Sequence, residues 1–162
     1  GFMGAGKTTI GQLLAKSINW NFIDLDLLIE KNQNESISQI FSKKGESYFR
    51  KIESKILSEA STSSKYVIAT GGGIVIKKQN INVMQKTGIQ IWLKWNINNL
   101  ILNAKKEQNQ RPLFSNNQNF INLYLSREHL YAQADITILC DELSPYQIVN
   151  KILKSTNKYN II

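Results

Sequence analysis

Short apolar runs alternate along this chain with longer stretches in which apolar residues recur every three or four positions. The short runs predict strands at residues 21–24, 66–69, 89–93 and 136–139. The periodic stretches predict helices at residues 9–16, 26–30, 36–41, 46–60, 77–86, 96–106, 120–134 and 145–154, with Gly45 as a helix stop. Strands that alternate with helices in this way indicate an α/β fold, in which helices cover both faces of a parallel sheet.

The amino terminus carries a glycine-rich motif. Gly1 to Thr8 fit the pattern G-x-x-x-x-G-K-[ST], which is typical of phosphate-binding P-loops. Glycines let backbone N–H groups turn toward phosphate oxygens, while Lys7 reaches the β- and γ-phosphates and the Thr8 hydroxyl coordinates Mg²⁺. The helix that follows adds the positive end of its dipole. A glycine-rich turn that only caps a helix is the alternative; we predict a nucleotide-phosphate site.

A buried strand normally leads into such a motif, yet the printed chain begins on its first glycine. Because that strand is central in parallel α/β folds, we expect a short apolar strand upstream of Gly1. The 162 residues would then be part of a longer chain. Mass spectrometry of the intact protein tests this expectation.

Charge and composition limit the classes of binding partner that the chain is expected to have. The formal net charge of +8 suits anionic small ligands, nucleic acid or lysine-rich solvated faces. The lysines are scattered and not interleaved with aromatic residues, so we expect no nucleic-acid partner. No apolar run approaches the roughly 18–20 residues that cross a bilayer, and we expect no membrane partner. The single cysteine, Cys140, is predicted to be a core thiol, which fits a reducing cytoplasm.

Two carboxylates follow the first predicted strand. Asp24 and Asp26 lie at its carboxyl end, and a strand period of two would aim both side chains the same way. Ligands of parallel α/β sheets bind beyond this edge. One carboxylate is therefore predicted to hold Mg²⁺ through water and the other to meet an acceptor hydroxyl. The alternative is a helix N-cap pair, since aspartate is favoured there.

A second group of candidates suits an anionic substrate. Arg50 and Glu53 lie three residues apart on one helical face, where Glu53 can hold the guanidinium while its free edge receives a carboxylate. An exposed ion pair is the alternative. Gly71, Gly72 and Gly73 leave the strand 66–69, and residues without side chains allow a ligand to approach closely.

The polar, Asn/Gln-rich stretch at residues 107–119 predicts an active-site lid, with a disordered surface loop as the alternative. Its Arg111 would close over the transferring phosphate and neutralise developing charge. Arg127 falls within a predicted helix, where a solvated arginine is the ordinary explanation. His129, the only histidine, is expected to be a surface or packing residue.

Six of these features occur in series over nearly the whole chain: the P-loop, Asp24-Leu25-Asp26, Phe49-Arg50, Thr70-Gly71-Gly72-Gly73, Arg111-Pro112-Leu113 and Arg127-x-x-x-Tyr131. Together they resemble the shikimate kinase family. The resemblance implies one domain over residues 1–162 with a three-layer P-loop fold of the NMP-kinase type. It further implies a five-stranded parallel sheet, a helical substrate-binding segment at about 24–60 and the lid at about 107–119.

The resemblance also implies a reaction, in which MgATP phosphorylates the 3-hydroxyl of shikimate to give shikimate 3-phosphate and ADP on the route to chorismate and the aromatic amino acids. Lys7, Asp26 and Arg111 are its implied catalytic residues, and Asp26 is expected to orient the acceptor hydroxyl. The implied binding roles are ATP phosphates for Gly4, Ala5, Gly6, Lys7, Thr8, Thr9 and Arg111; Mg²⁺ for Thr8 and Asp24; and shikimate for Asp26, Arg50, Gly71, Gly72, Gly73 and Arg127.

The chain departs from the family pattern in two ways: its lid is unusually rich in Asn and Gln, and an arginine ahead of the lid is missing. Many members carry another arginine shortly before the lid arginine, whereas Asn103 and Ala104 stand here beside Lys105 and Lys106. A lysine supplies charge but cannot stack on adenine as a guanidinium does. The rivals are another small-metabolite kinase, such as a gluconate or nucleoside-monophosphate kinase, and a shikimate kinase-like binding protein without catalysis. We expect a cytoplasmic monomer.

Overall fold

The computed structural model describes residues 1–106 and 117–159, which form alternating strands and helices as predicted. The elements in chain order are α1 (Lys7–Ser17), β1 (Asn21–Asp24), α2 (Leu25–Gln33), α3 (Ile37–Ala60), β2 (Tyr66–Ala69), α4 (Lys78–Thr87), β3 (Ile91–Lys94), α5 (Ile97–Lys106), α6 (Asn117–Tyr131), β4 (Ile136–Leu139) and α7 (Pro145–Thr156). Short 3-10 helices lie at Ile74–Ile76 and Asn157–Tyr159.

The strands form two parallel pairs. β1 pairs with β2, with Asn21 opposite Tyr66, and β3 pairs with β4, with Ile91 opposite Ile136. Each pair is joined by helices, as parallel strands require a long crossover. Within the described residues these are separate two-stranded sheets. The α/β class is therefore confirmed, whereas the predicted five-stranded sheet is not seen.

The predicted bounds of β3 were wrong by a few residues. We expected a strand at 89–93, but β3 is Ile91–Lys94. The N–H of Gln90 donates to the Asp135 carboxylate at 2.8 Å, so a side chain satisfies it in place of a neighbouring strand. The other three strands have the predicted bounds.

Gly45 interrupts α3 and separates two helical segments, as the predicted helix stop requires. α3 runs from Ile37 to Ala60, and only Gly45 within it has non-helical angles, with φ 80° and ψ 167°. This positive φ is accessible to glycine at little cost, so the chain turns at Gly45 and resumes its helix. The bend places Phe49, Arg50 and Glu53 on the buried side of the second half.

Two further boundaries that concern predicted site residues differ from prediction, one at the expected lid and the other at the start of α2. α6 begins at Asn117 and ends at Tyr131, so the last residues of the predicted lid are helical. Residues 107–116, including Arg111, lie outside the described residues. α2 begins at Leu25, which places Asp26 in its first turn and not in an extended strand.

The core lies between the strands and the helices packed on them. Its fully buried side chains include Leu25, Ile29, Leu57, Leu100, Phe120 and Ile152, each no more than 1% exposed. Cys140 is also fully buried, as predicted, and burial raises the pKa of its thiol to about 12. Among the described helices, none combines the length and apolar character needed to cross a membrane.

Candidate active site

A cavity of about 540 Å³ lies where the P-loop, the end of β1, α3, the glycine turn and α6 meet. The predicted site residues that line it are Gly4, Gly6, Lys7, Thr8, Thr9, Asp24, Asp26, Arg50, Gly71, Gly72, Gly73 and Arg127. Ala5 does not line it, because this residue is 1% exposed and its N–H donates to the Phe2 carbonyl at 3.3 Å. The cavity thus brings together residues that are far apart in sequence.

The P-loop wraps around its lysine at one end of this cavity. The Lys7 ammonium donates to the carbonyl of Phe2 at 2.9 Å, within the same loop. Gly4 and Gly6 both have positive φ, 74° and 72°. α1 starts at Lys7, directly after the loop, so the positive end of its dipole faces the cavity. This arrangement suits an anion such as a polyphosphate.

Thr8 and Asp24 form the second feature of the phosphate end. The Thr8 hydroxyl donates to Asp24 Oδ2 at 2.6 Å. Asp24 Oδ1 accepts from the backbone N–H groups of Asp26 and Leu27, at 3.0 and 3.3 Å, and so caps α2. The N-cap alternative therefore holds for one oxygen of Asp24, while the other faces the P-loop. A hydroxyl and a carboxylate are the hard oxygen ligands that suit Mg²⁺.

Asp26 reaches the cavity for a different reason from the one predicted. Its position in the first turn of α2 shows that the strand-period argument was wrong. Asp26 Oδ1 nevertheless lies beside the glycine turn, 2.8 Å from the point where a Cβ on Gly71 would stand. Any side chain at Gly71 would therefore collide with this carboxylate. The turn can approach Asp26 this closely because Gly71 has no side chain.

Arg50 is a buried cation, not the exposed ion pair that was the alternative. The residue is 7% exposed, and its Nη1 donates to Glu53 Oε2 at 2.8 Å. Nε and Nη2 donate to Glu46 Oε1 at 3.2 and 3.0 Å. Burial acts to lower the pKa of Arg50, but the carboxylates of Glu53 and Glu46 outweigh it and raise the pKa. Glu46 was missed, although its spacing of four residues from Arg50 was a signal.

The glycine turn packs directly on this arginine. A Cβ on Gly73 would lie 2.6 Å from Arg50 Cζ, a separation that real atoms do not adopt. The guanidinium therefore rests against the backbone of the turn, with Glu46 and Glu53 holding its edges. Only a residue without a side chain fits between Arg50 and the turn.

Glu53 contributes a second carboxylate near Asp26. It is 1% exposed, and within the described part of the chain its Oε1 has no hydrogen-bond partner. This oxygen lies 3.0 Å from the Cβ position of Gly71, on the same side as Asp26. Burial raises the pKa of Glu53; Arg50 opposes this shift and Asp26 adds to it. Two carboxylates thus converge at the glycine turn.

Arg127 completes the positive side of the cavity. It is 7% exposed, so the solvated arginine expected from its place in a helix was wrong, whereas His129 is exposed as predicted. Arg127 lines the same cavity as Arg50, although the two residues come from different helices.

Asn103 and Lys106 lie in the region where many family members carry an arginine ahead of the lid. Asn103 Nδ2 donates to the carbonyl of Gly4 at 3.2 Å, so α5 is tied to the P-loop. Lys106, near the end of α5, lines the cavity. A positive charge is therefore present on this side, without a planar group for stacking.

The P-loop, the carboxylates and the arginines around one cavity of a parallel α/β fold define a small-molecule kinase of the P-loop class. The model of the shikimate kinase family matches residues 3–157. The chain belongs to the shikimate kinase family, whose reaction is ATP-dependent phosphorylation of shikimate.

Individual relatives agree over almost the whole chain. A shikimate kinase from Persephonella marina is 42% identical, over 94% of this chain and 93% of its own length. The structure of shikimate kinase from Acinetobacter baumannii in complex with shikimate has a TM-score of 0.94 and 31% identity, covering 100% of this chain and 92% of that one. Shikimate kinase from Aquifex aeolicus gives a TM-score of 0.82 and 35% identity, covering 99% and 94%.

Proposed function

We propose that the cavity is the active site at which this chain transfers the γ-phosphate of ATP to the 3-hydroxyl of shikimate. The observation that carries the proposal is the convergence of Arg50 and Arg127 with Lys7 and Asp26 on one cavity. An anion cradle and a pair of buried cations suit two anionic reactants, a nucleotide and a small acid. Membership of the shikimate kinase family supports this assignment.

At the phosphate end, Gly4, Gly6, Thr8 and Thr9 lie around the ATP phosphates and Lys7 neutralises the β- and γ-oxygens. Thr8 and Asp24 are the residues that would hold Mg²⁺, because their oxygens already face each other at 2.6 Å. The bound ion would neutralise phosphate charge. Phosphoryl transfer then depends mainly on positioning the reactants and stabilising charge.

At the acceptor end, Asp26 orients the 3-hydroxyl of shikimate toward the γ-phosphorus. The hydroxyl oxygen forms the new P–O bond, the bond from the γ-phosphorus to the leaving ADP oxygen breaks, and the hydroxyl proton passes late to Asp26. Arg50 and Arg127 bind the shikimate carboxylate, with Glu46 and Glu53 fixing the direction of Arg50. Gly71, Gly72 and Gly73 allow the ring to approach both groups.

ADP release from MgATP, measured with shikimate, gluconate, nucleoside monophosphates or nucleic acid offered singly, tests the proposal. We expect turnover with shikimate only, and its loss in Asp26→Asn. Lys31→Ala is a matched control, because Lys31 lies in the same helix as Asp26, is exposed and does not line the cavity. Equal turnover with gluconate, or no turnover with shikimate, would contradict the proposal.

We also propose that the two strand pairs are halves of one five-stranded sheet. A second cavity of about 560 Å³ lies between them, lined by Val67 and Ile68 of β2 and by Ile91, Trp92 and Leu93 of β3. Gly1 lines the same cavity. An apolar strand joined to Gly1 would fill this space and pair with both β2 and β3.

Hydrogen exchange tests this arrangement. The amides of β2 and β3 should exchange more slowly in a chain that carries an apolar strand ahead of Gly1 than in residues 1–162 alone, because a central strand protects its neighbours. Amides of β4 serve as an internal control, since their partner β3 is present in both. Equal protection of β2 in the two proteins would contradict the five-stranded sheet.

The remaining expectations form one further proposal. Residues 1–162 would form a single domain, with substrate bound by residues 24–60 and a lid at 107–119 that brings Arg111 to the β/γ-phosphates. The enzyme would act as a cytoplasmic monomer.

Arg111→Ala should lower kcat by at least about tenfold, as expected for a cation that stabilises transferring phosphate. Size-exclusion chromatography with light scattering checks the oligomeric state, and cell fractionation checks the compartment.

A further inference from the structure

The hydroxyl group of Tyr131 lies between two parts of the proposed substrate site. Tyr131 ends α6 and is 3% exposed. Its hydroxyl donates a short hydrogen bond to the carbonyl of Gly72, the middle residue of the glycine turn. A buried carbonyl needs such a partner, because a backbone oxygen without one loses the hydrogen bonds it makes to water. Tyr131 is therefore the side chain that holds the turn against α6.

Arg127 lies one helical turn earlier on α6. Because residues four apart share one face of a helix, its guanidinium lies on the same side as the Tyr131 hydroxyl, and its charge acts on that hydroxyl. A phenol can donate one hydrogen bond and accept others, so the oxygen can serve both neighbours at once. Burial raises the pKa of Tyr131 above its usual range, more than Arg127 lowers it. The phenol therefore remains protonated, and its donor to Gly72 persists, over the ordinary working range of pH.

Two aromatic neighbours fix the direction of the ring. Trp92 of β3 stacks on Tyr131 with ring centroids 6.0 Å apart and an angle of 25° between planes. Phe2 of the P-loop meets it edge-on, at 6.4 Å and 74°. Such packing leaves the ring little freedom. The hydroxyl is thereby directed at Gly72 by groups that belong to β3 and to the phosphate end.

We propose that Tyr131 is a positioning residue for shikimate, which holds Arg127 and the glycine turn in the geometry that receives the acid. The inference rests on the proposed function, because it assigns a role within the same site. Tyr131 need not touch the substrate: it acts through Arg127 and through the backbone of Gly72. Its loss should weaken the binding of the acid and spare that of the nucleotide.

Tyr131→Phe keeps the ring and removes only the hydroxyl. We expect KM for shikimate to rise about five- to tenfold, which is the worth of a buried hydrogen bond. The kcat and the KM for ATP should stay within about twofold of the wild type. Tyr124→Phe is the matched control: Tyr124 lies on α6, is 5% exposed and also meets Phe2 edge-on, but its hydroxyl donates to Glu128. That variant should leave all three constants unchanged.

A double-mutant cycle separates positioning from a general structural role. If Tyr131 acts through Arg127, Tyr131→Phe should have a smaller effect on shikimate affinity in an Arg127→Lys background than alone. Thermal melting of each variant shows that the compared proteins are folded. Unchanged KM in Tyr131→Phe, an equal rise in Tyr124→Phe, or independent effects in the cycle would overturn the inference. A wild-type protein that releases no ADP with shikimate would refute the proposed function itself.

Discussion

The two ends of the active-site cavity are built in opposite ways. The phosphate end consists of one continuous segment, in which Gly4, Gly6, Lys7 and Thr8 lie within five residues of sequence and the backbone supplies much of the chemistry. The acceptor end, which we call the acid end because we propose that it binds the shikimate carboxylate, is assembled from side chains of α3, α6 and the glycine turn. Its cations, Arg50 and Arg127, are both buried.

The difference has consequences for how each end tolerates change. A backbone cradle depends on local chain geometry and keeps its N–H groups through most substitutions. The acid end depends on contacts between distant elements, such as Gly73 against Arg50 and Tyr131 against Gly72. Substitutions there should therefore affect shikimate selectively, through the direction of a few charges.

Asp26→Asn is the strongest test, because Asp26 lies where the two ends meet. The substitution removes the carboxylate that we propose as the proton acceptor but keeps the shape of the side chain. We expect kcat to fall by about 10²- to 10⁴-fold, the usual scale for a general base. The dissociation constant for ATP, measured by calorimetry, should change little. Unchanged turnover would refute the role of Asp26.

Arg50→Lys should separate the two ends next. A lysine keeps the charge but cannot bind Glu46, Glu53 and a carboxylate with one planar group. Shikimate binding should weaken by about 1.5–3 kcal/mol, the scale of hydrogen bonds to charged groups. Calorimetric titration with shikimate and with ATP measures both ends in one variant. Lys51→Gln, at an exposed neighbouring position, is the control. Equal losses of affinity for shikimate and ATP would contradict the assignment of Arg50 to the acid end.

Gly73→Ala should act on the acid end through shape alone. The added methyl group would collide with the Arg50 guanidinium, which must then move from its carboxylate partners. We expect KM for shikimate to rise about fivefold, with KM for ATP unchanged, as for the loss of one hydrogen bond. Gly88→Ala is the control, because a Cβ at Gly88 meets no atom within 4 Å. An unaltered KM in Gly73→Ala would mean that Arg50 has another resting position.

The smallest expected effect concerns the pH dependence of stability. The pKa of Glu53 is raised in the folded protein from its ordinary value of 4.5, chiefly by burial. The folded state therefore holds this proton to a higher pH than the unfolded chain does, so the stabilising contribution is present below pH 4.5 and is lost as pH rises through the folded pKa. Glu53→Gln cannot titrate. Melting temperatures of the two proteins from pH 4 upward should show the wild type losing stability relative to Glu53→Gln.

Much of the fold could be predicted because its signals are local. Apolar runs located three strands to the residue, and the P-loop pattern located the start of α1 within two positions. The bend at Gly45 was visible as a break, although the helix resumes after it. The start of β3 was misjudged because the bond between Gln90 and Asp135 joins residues distant in sequence.

The acid end was less accessible to sequence reasoning for a physical reason. A helical pattern shows that Arg127 is on a helix but not that its neighbours cover it. The pattern alone therefore indicated a solvated residue, and only the family resemblance gave Arg127 a binding role. The partners of Arg50 share its helix and were partly visible through Glu53. The contact of Tyr131 with Gly72 spans 59 residues and has no local signal.

The burial of both arginines has a consequence for how the enzyme responds to ionic conditions. Most of the +8 charge comes from scattered lysines, whose attraction for anions fades beyond a Debye length of about 10 Å in 0.1 M salt. Arg50 and Arg127 are each only 7% exposed, and salt screens buried charges much less than exposed ones. Added potassium chloride should therefore lower the association rate constant of shikimate more than it raises the dissociation rate constant.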